Sequence, residues 1–352
     1  MHLKSLMSFG SVAAAFVAVA ALPNGAHAQG SAQVQAAIRS EESGNAEVRA
    51  FYQSHRGEPL WIRGSAPGPQ AAKLLQLFES AQLDGLNPEA YRTRSLASTL
   101  SKARRGSPKA LAAAEIQLSE AFAAYVRDSR KPRGKTEMLY AEKSLAPTVP
   151  TVASVLEAAA AAPNIVQYLE SMGWMHPVYA QLRGALATSG GGKSAASPRA
   201  QLLRLNLERA RILPGNPRMR HILVDAAGAR LWLYENGRIR DTMKVVVGQP
   251  TQQTPMMAGL VRYAIANPYW YVPSDLAARR IAPNVLSGGP SYLRARRYEI
   301  LSDWSANAKV VPPAKVNWRA VADGKQQLAM RQLPGGDNAM GKVKFMFPND
   351  LG

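Results

Sequence analysis

The 352 residues contain no cysteine. A disulfide framework, a Cys-ligated metal and a thiol nucleophile are therefore excluded among them. Histidine is scarce as well: His2, His27, His55, His176 and His221, with no two spaced as a helix-borne metal pair. Metal chemistry is not expected. No GxSxG elbow, Walker loop or Rossmann fingerprint occurs, and Gly288-Gly289-Pro290 and Gly335-Gly336 read as turn glycines. Helix-turn-helix, zinc-finger and RRM signatures are also missing, so no nucleic-acid partner is indicated. Beyond the N-terminal segment no apolar run has the length of a transmembrane helix. Acidic residues are few, 24 against 43 Lys+Arg, for a formal net charge of +19. That balance suits an acidic partner, such as an anionic membrane face or a wall polymer, although a merely soluble basic protein would share it.

What is present begins with a targeting signal. Lys4 supplies the positive start, Phe9 to Leu22 an apolar stretch rich in Ala and Val, and Ala26-His27-Ala28 a small-x-small cleavage pattern. These features predict a signal peptide over 1–28, cleaved after Ala28, and an exported mature chain. The apolar stretch is too short for an anchor.

The mature chain is helical first. Phe51, Tyr52, Leu60 and Trp61 form aromatic and apolar anchors around a Gly57/Pro59 turn. Leu74, Leu75, Leu77, Phe78 and Leu83 keep helical spacing up to Asp84-Gly85. Asn87-Pro88 and Ser107-Pro108 each place a capping side chain before a proline at a first helical position. The second pair predicts a long amphipathic helix from Lys109 to about Arg127, with Leu111, Ile116, Leu118, Phe122 and Tyr125 on one side. Further helices are predicted over Thr151 to Ala162, from Pro163-Asn164, and from His176-Pro177. Thr188 to Ser197 is a Gly/Ser-rich connector, and Pro198 to Leu213 a last helix.

At Arg220 the apolar period changes to two. Ile222–Val224, Arg230–Tyr234 and Arg238–Val247 read as strands, with Asn236-Gly237 a type I′ hairpin signal. Tyr263–Asn267, Tyr298–Leu301, Gln327–Gln332 and Val343–Phe347 read as further strands, and helix is expected chiefly over Asp275 to Ile281. In the last strand Lys344 alternates with apolar neighbours, as a half-buried strand would, and Pro348-Asn349 breaks it. The fold class is thus α+β, a helical domain followed by a β-rich one. The expected boundaries are a scaffold domain at 29–187, a linker with connecting helix at 188–215, and the β-rich domain at 216–352.

Two places in the β-rich half bear on chemistry. His221, at a strand start, is the one candidate base there, although a strand-edge histidine needs no such role. Tyr269, Trp270 and Tyr271 lie between two prolines before Ser274. They can line a groove for an extended peptide or glycan, or they can pack a core.

The blocks FYQSHRGEPLW (51–61), LDGLNPEAY (83–91), LNLERARILP (205–214), HILVDAAGARLWLYENG (221–237), VVVGQPTQQTPMM (245–257), ANPYWYVP (266–273), IAPNVL (281–286) and RQLPGGDNAMGKVKFMFPN (331–349) stand in order. Together they resemble the murein L,D-transpeptidases, a YkuD-type catalytic domain behind a helical scaffold. The resemblance implies a periplasmic enzyme that cross-links peptidoglycan stem peptides, with other cell-wall enzymes as further candidate partners. In that family a thiolate attacks the diaminopimelate carbonyl of a donor stem, the terminal D-Ala leaves, and an amine of a neighbouring stem resolves the acyl-enzyme. A histidine activates the thiol and backbone N–H groups hold the oxyanion. The resemblance implies no cofactor; if its substrate applies, Tyr269, Trp270 and Tyr271 are expected to border the donor-peptide groove.

The sequence departs from the family where the catalytic segment would stand. A His-Asp segment and a Ser-His-Gly-Cys motif follow the FPN strand in the family; here three residues follow Asn349, and no histidine lies beyond His221. No catalytic residue can be carried over. The expectation is a family member truncated before its nucleophile, inactive as it stands, with strand edges left open in its β core. The competing expectation is a non-catalytic exported protein that binds peptidoglycan or a partner enzyme.

Overall fold

The computed structural model describes residues 24–104, 106–133, 138–189, 197–215 and 219–347. Most of the predicted signal peptide, most of the Gly/Ser connector and the Pro348-Asn349 break lie outside them. The described residues form two compact units: one of those up to 133 with 147–254, the other of 138–146 with 255–347.

The first unit is built on helices α1 (Asn24–Ser40), α2 (Ala46–Ser54), α3 (Pro69–Glu79), α4 (Thr93–Ala103), α5 (Pro108–Arg130), α6 (Val152–Ala160), α7 (Ile165–Glu170), α8 (Pro177–Thr188) and α9 (Pro198–Ala210). A small hairpin, β1 (Ile62–Arg63) and β2 (Ala66–Pro67), lies between α2 and α3. The local chemistry sets the helix starts. Ser107, Thr151, Asn164 and Ser197 each accept a hydrogen bond from the third residue beyond, and prolines occupy the first turns of α5, α8 and α9. The Asn87-Pro88 start yields only a 3-10 turn, Pro88–Tyr91, because Arg92 is left-handed at φ 52° and α4 begins anew beyond it.

Helix α5 runs through the middle and buries Leu111, Ile116, Leu118, Phe122 and Tyr125 as its spacing predicts. Phe122 meets Trp61 and Trp174 edge-on, with ring centres 5.2 and 5.5 Å apart. Helix α9, read from sequence as a connector, packs into the same core through Ala200, Leu207 and Ala210, and the Arg211 that follows it is fully buried.

Two carboxylates are sunk into this helical core. Glu115 of α5 accepts N–H bonds from Leu60, Trp61 and Ile62 and a hydroxyl bond from Tyr52. It thereby ties down the aromatic segment between α2 and β1. Burial pushes its carboxyl up to about 7, against the pull of those donors. Asp84 accepts the Tyr125 hydroxyl at 2.7 Å, the Tyr179 hydroxyl at 3.0 Å and the Arg183 Nε at 2.9 Å. Arg211 donates to the backbone carbonyls of Asp84 and Ser129, so the 3-10 turn Ala81–Asp84 is held from α5, α8 and the end of α9.

A three-stranded meander completes this unit. Numbering strands along the chain, β3 is Leu139–Tyr140, in the second unit; the meander is β4 (His221–Asp225), β5 (Arg230–Glu235) and β6 (Arg238–Lys244). Asn236 and Gly237 have φ of 52° and 73°, the left-handed pair that a type I′ turn requires. The sequence places the start of a β-rich domain at 216, yet these strands belong to the helical unit in compactness. His221 joins them to the N-terminus of α8: its Nε2 lies 2.8 Å from His176 Nε2, and Tyr234 stacks on His221.

The second unit holds β3, β7 (Met257–Ala258), β8 (Tyr263–Ala266), β9 (Trp270–Tyr271), β10 (Tyr298–Leu301), β11 (Val310–Val311), β12 (Met330–Gln332) and β13 (Val343–Met346). Its main sheet is antiparallel in the order β11–β10–β12–β9; β3 pairs with β7 in parallel, and β8 with β13.

This unit is more helical than its sequence suggests. Instead of one short helix, α10 (Ser274–Leu276), a π turn (Ala277–Ile281) and α11 (Ala282–Gly288) run on without a break, and α12 (Ser291–Ala295) and α13 (Trp318–Ala322) follow. The widened π turn admits Pro283, at which a sequence reading stops the helix. Val272, Ile281, Val285, Leu293, Ile300, Trp318, Val321 and Met330 close the core between these helices and the sheet.

The β13 reading is overturned in its facing. Val343 and Phe345 are 45% and 60% exposed, whereas Lys344 and Met346 are partly buried. Among the described residues β13 and β8 form a two-stranded ribbon, in which only Lys344 and Met346 are partly buried.

Candidate functional site

Of the two places singled out from sequence, His221 is committed elsewhere. His176 caps α8 by accepting the Val178 N–H at its Nδ1, which leaves the proton on Nε2. That proton is donated to His221 Nε2, and His221 Nδ1 donates to the Met219 carbonyl. Both rings are used in full by this chain of bonds. Burial, with His221 and Arg130 nearby, pulls His176 down to about 4. This is a neutral structural clasp, and His221 is not free to act as a base.

The aromatic segment fares differently. Asn267, left-handed at φ 49°, ends the pairing with β13, and Pro268 directs the chain to β12 instead. In an extended strand alternate side chains face opposite ways. Trp270 therefore turns inward, packs against the core and lies 6.4 Å from the Tyr298 ring. Tyr269 and Tyr271 face outward, 41% and 53% exposed, with ring centres 6.5 Å apart. Groove lining and core packing, the two alternatives for this segment, are thus divided between its residues.

Three residues without a sequence signal join the two tyrosines. Trp304, 49% exposed, lies 6.4 Å from the Tyr271 ring. Its loop is fixed by Asp303, which accepts the Ser305 N–H at 2.6 Å and the Ser302 hydroxyl at 2.8 Å; the Ser305 side chain first, then these two bonds, hold the carboxyl below its ordinary range. Arg331 of β12 lays its guanidinium over the Tyr269 ring at 4.3 Å and pairs with Glu299 of β10 at 2.8 Å. Desolvation pulls Arg331 down, but Glu299 and the two tyrosines outweigh it and raise the guanidinium above its ordinary value. Only the register, with Arg331 opposite both Tyr271 and Glu299, brings these residues to one face.

Two buried amides hold the rim. Asn338 donates to the carbonyls of Pro268, Gln332 and Leu333, and its own Oδ1 accepts the Met340 N–H. Gln332 donates to the Arg296 and Asp337 carbonyls and accepts the Ala339 N–H. The Gly-rich loop between β12 and β13 is thereby fastened against the turn that leads into Tyr269. Among the described residues no group of three or more His, Asp or Glu side chains is placed to hold a metal. The open face can stack flat groups, hydrogen-bond and read charge; the residues assembled there include no nucleophile.

Comparison with known proteins gives two domain matches. Residues 46–186 match the Scaffold domain, and 219–352 match the L,D-transpeptidase catalytic domain. A Haemophilus influenzae protein provisionally named an L,D-transpeptidase is 30% identical over 149 residues, 42% of this chain. The matched segment spans 29% of that relative's length.

Proposed function

This chain belongs to the L,D-transpeptidase family, with a scaffold domain before a catalytic-type domain, and from that premise we propose that its second half engages peptidoglycan stem peptides, with Tyr269 and Tyr271 on the border of the donor groove and Trp270 supporting them from the core. The observation that carries this reading is the open aromatic face: two outward tyrosines and Trp304 beside a paired Arg331 and Glu299, on the rim of a sheet inside the matched domain. A stem peptide carries carboxylates and an amine, and a basic chain with an arginine–glutamate pair at the face suits both. Residues 1–28 act as the export signal, and the working place is the periplasm.

The chemistry expected of these 352 residues is limited by their composition. Acyl transfer of the family's kind needs a thiolate, and no cysteine is among them. The chain as given therefore binds stems without joining them. A second reading is an exported protein that binds peptidoglycan or a partner enzyme without catalysis.

The test is to mix the 352-residue chain with disaccharide-tetrapeptide and follow both tryptophan fluorescence and product masses. Saturable binding without a cross-linked dimer or released D-Ala is the expected result. Tyr269→Ala and Tyr271→Ala should each weaken binding about three- to tenfold, the worth of one aromatic contact. Dimer formation would overturn inactivity, and unchanged affinity in both variants would remove the tyrosines from the groove.

A further inference from the structure

Among the described residues strand β9 is an edge of the four-stranded sheet, and its hydrogen-bond phase shows what that edge offers. The Val272 N–H donates to the Met330 carbonyl at 3.0 Å, and these residues lie directly opposite each other, one position on from Tyr271 and Arg331. In an antiparallel pair, residues that exchange hydrogen bonds alternate with residues that do not. Trp270 and Val272 therefore direct their N–H and C=O groups into the sheet, and Tyr271 directs both of its groups outward. The neighbouring strand agrees: the Leu301 N–H donates to Ala329, which puts the backbone groups of Arg331 toward β10, away from Tyr271. The Pro268 carbonyl also turns inward, to Asn338, so Tyr269 presents its own groups outward.

We infer that the β9 edge takes a short extended peptide by strand addition, with its backbone bonded to Tyr269 and Tyr271 and its side chains laid over the face of Tyr269, Tyr271, Trp304 and Arg331. An edge with unpaired backbone groups is a ready template for another extended chain. The length of this one selects the occupant. Asn267-Pro268 closes it at one end and Pro273 at the other, and the strand itself is only Trp270–Tyr271. A long strand from a folded partner finds too few donors there, whereas a segment of three or four residues is matched in full. Charge makes the same selection: the chain carries a formal net charge of +19, and Arg331 with Glu299 can meet a carboxylate and an amine on one short peptide. The inference rests on the stem-peptide reading above and specifies the mode of recognition.

The experiment titrates the 352-residue chain with the free tetrapeptide stem and with the same peptide N-methylated at two alternate amides, those of its second and fourth residues. Methylation removes the N–H groups that would donate to Tyr269 and Tyr271 and leaves charge and side chains intact. The expected result is saturable binding of the parent and an affinity at least about tenfold lower for the methylated form. Equal affinity for the two peptides overturns strand addition and leaves the stem-peptide reading standing. Failure of both peptides to bind overturns the two together. A second comparison uses the protein: Tyr271→Ala loses the ring but keeps the outward N–H, and Tyr271→Pro loses both at an edge position that tolerates proline. With unchanged melting of both variants, Tyr271→Pro should bind at least about threefold more weakly than Tyr271→Ala; equal weakening counts against the edge. A dimer that Tyr271→Pro converts to a monomer, with no peptide binding, would assign the edge to a second copy of this chain and end the proposal.

Discussion

Replacing Glu115 by Gln tests the central claim about the helical unit, that one buried carboxylate organises the aromatic segment around Trp61. Its Oε1 accepts from Leu60 N at 2.6 Å, Trp61 N at 3.1 Å and the Tyr52 hydroxyl; its Oε2 accepts from Trp61 N and Ile62 N at 3.1 and 3.0 Å. A glutamine has the same shape but carries an NH₂ in place of one oxygen. Whichever way the amide is turned, one backbone N–H, that of Leu60 or of Ile62, then faces a donor, while Trp61 N–H keeps the remaining oxygen. A buried donor so stranded costs about 1 to 3 kcal/mol. For a unit of this size that lowers Tm by roughly 2–12 °C. The assay is thermal and urea unfolding of the full chain at pH 8, above the value of about 7 to which burial raises the carboxyl, so that the wild-type group is an anion. Ser119→Ala is the internal comparison. Ser119 accepts only the Trp61 Nε1–H and shares a bond with Tyr52, so its loss should cost about 1 kcal/mol. A Glu115→Gln change below about 1 kcal/mol, or one no larger than that of Ser119→Ala, would refute the reasoning.

Three further outcomes are expected. Asp84→Ala should destabilise the same unit by about 3–5 kcal/mol in urea unfolding, because Arg183 is then left half-buried without its anion and two tyrosine hydroxyls lose their acceptor. For His176 the unfolded chain takes up a proton near 6.5 and the folded one only near 4. The stability from the neutral clasp is therefore whole above about pH 6.5, is lost as pH falls to about 4, and totals about 3 kcal/mol. Melting curves of His176→Gln should lack that segment of the pH dependence. Asn338→Ala should cost about 2–3 kcal/mol and speed amide exchange across residues 333–341, since three carbonyls and the Met340 N–H lose their partner together.

Much of the fold is legible in short stretches of sequence. Ser107-Pro108, Thr151, Asn164 and Ser197-Pro198 mark helix starts because a cap acts within three residues, and Asn236-Gly237 marks its turn because few other pairs tolerate that backbone. The aromatic segment at 269–271 is legible as a place of interest in the same way. What sequence does not carry is the meeting of distant residues. Glu115 sits in an amphipathic helix with nothing to show that residues 60–62 come to it. Trp304, Arg331 and Glu299 reach Tyr269 and Tyr271 only through the sheet register. The division of labour among Tyr269, Trp270 and Tyr271 likewise needs the pairing of β9, since all three residue types suit a surface and a core equally. The short helices α12 and α13 complete barely more than a turn, too little for a period to emerge.

The ribbon of β8 and β13 has a consequence for the substance in bulk. It leaves Tyr263, Ile265, Val343 and Phe345 in water on a molecule whose formal charge is +19. Two such molecules repel one another at long range and attract only on close approach of their ribbons. The range of the repulsion is set by the buffer: about 30 Å at 0.01 M salt but about 8 Å at 0.15 M. Ionic strength is thus a dial on the second virial coefficient of this protein, from a freely dispersed solute in dilute buffer toward a sticky colloid at physiological salt.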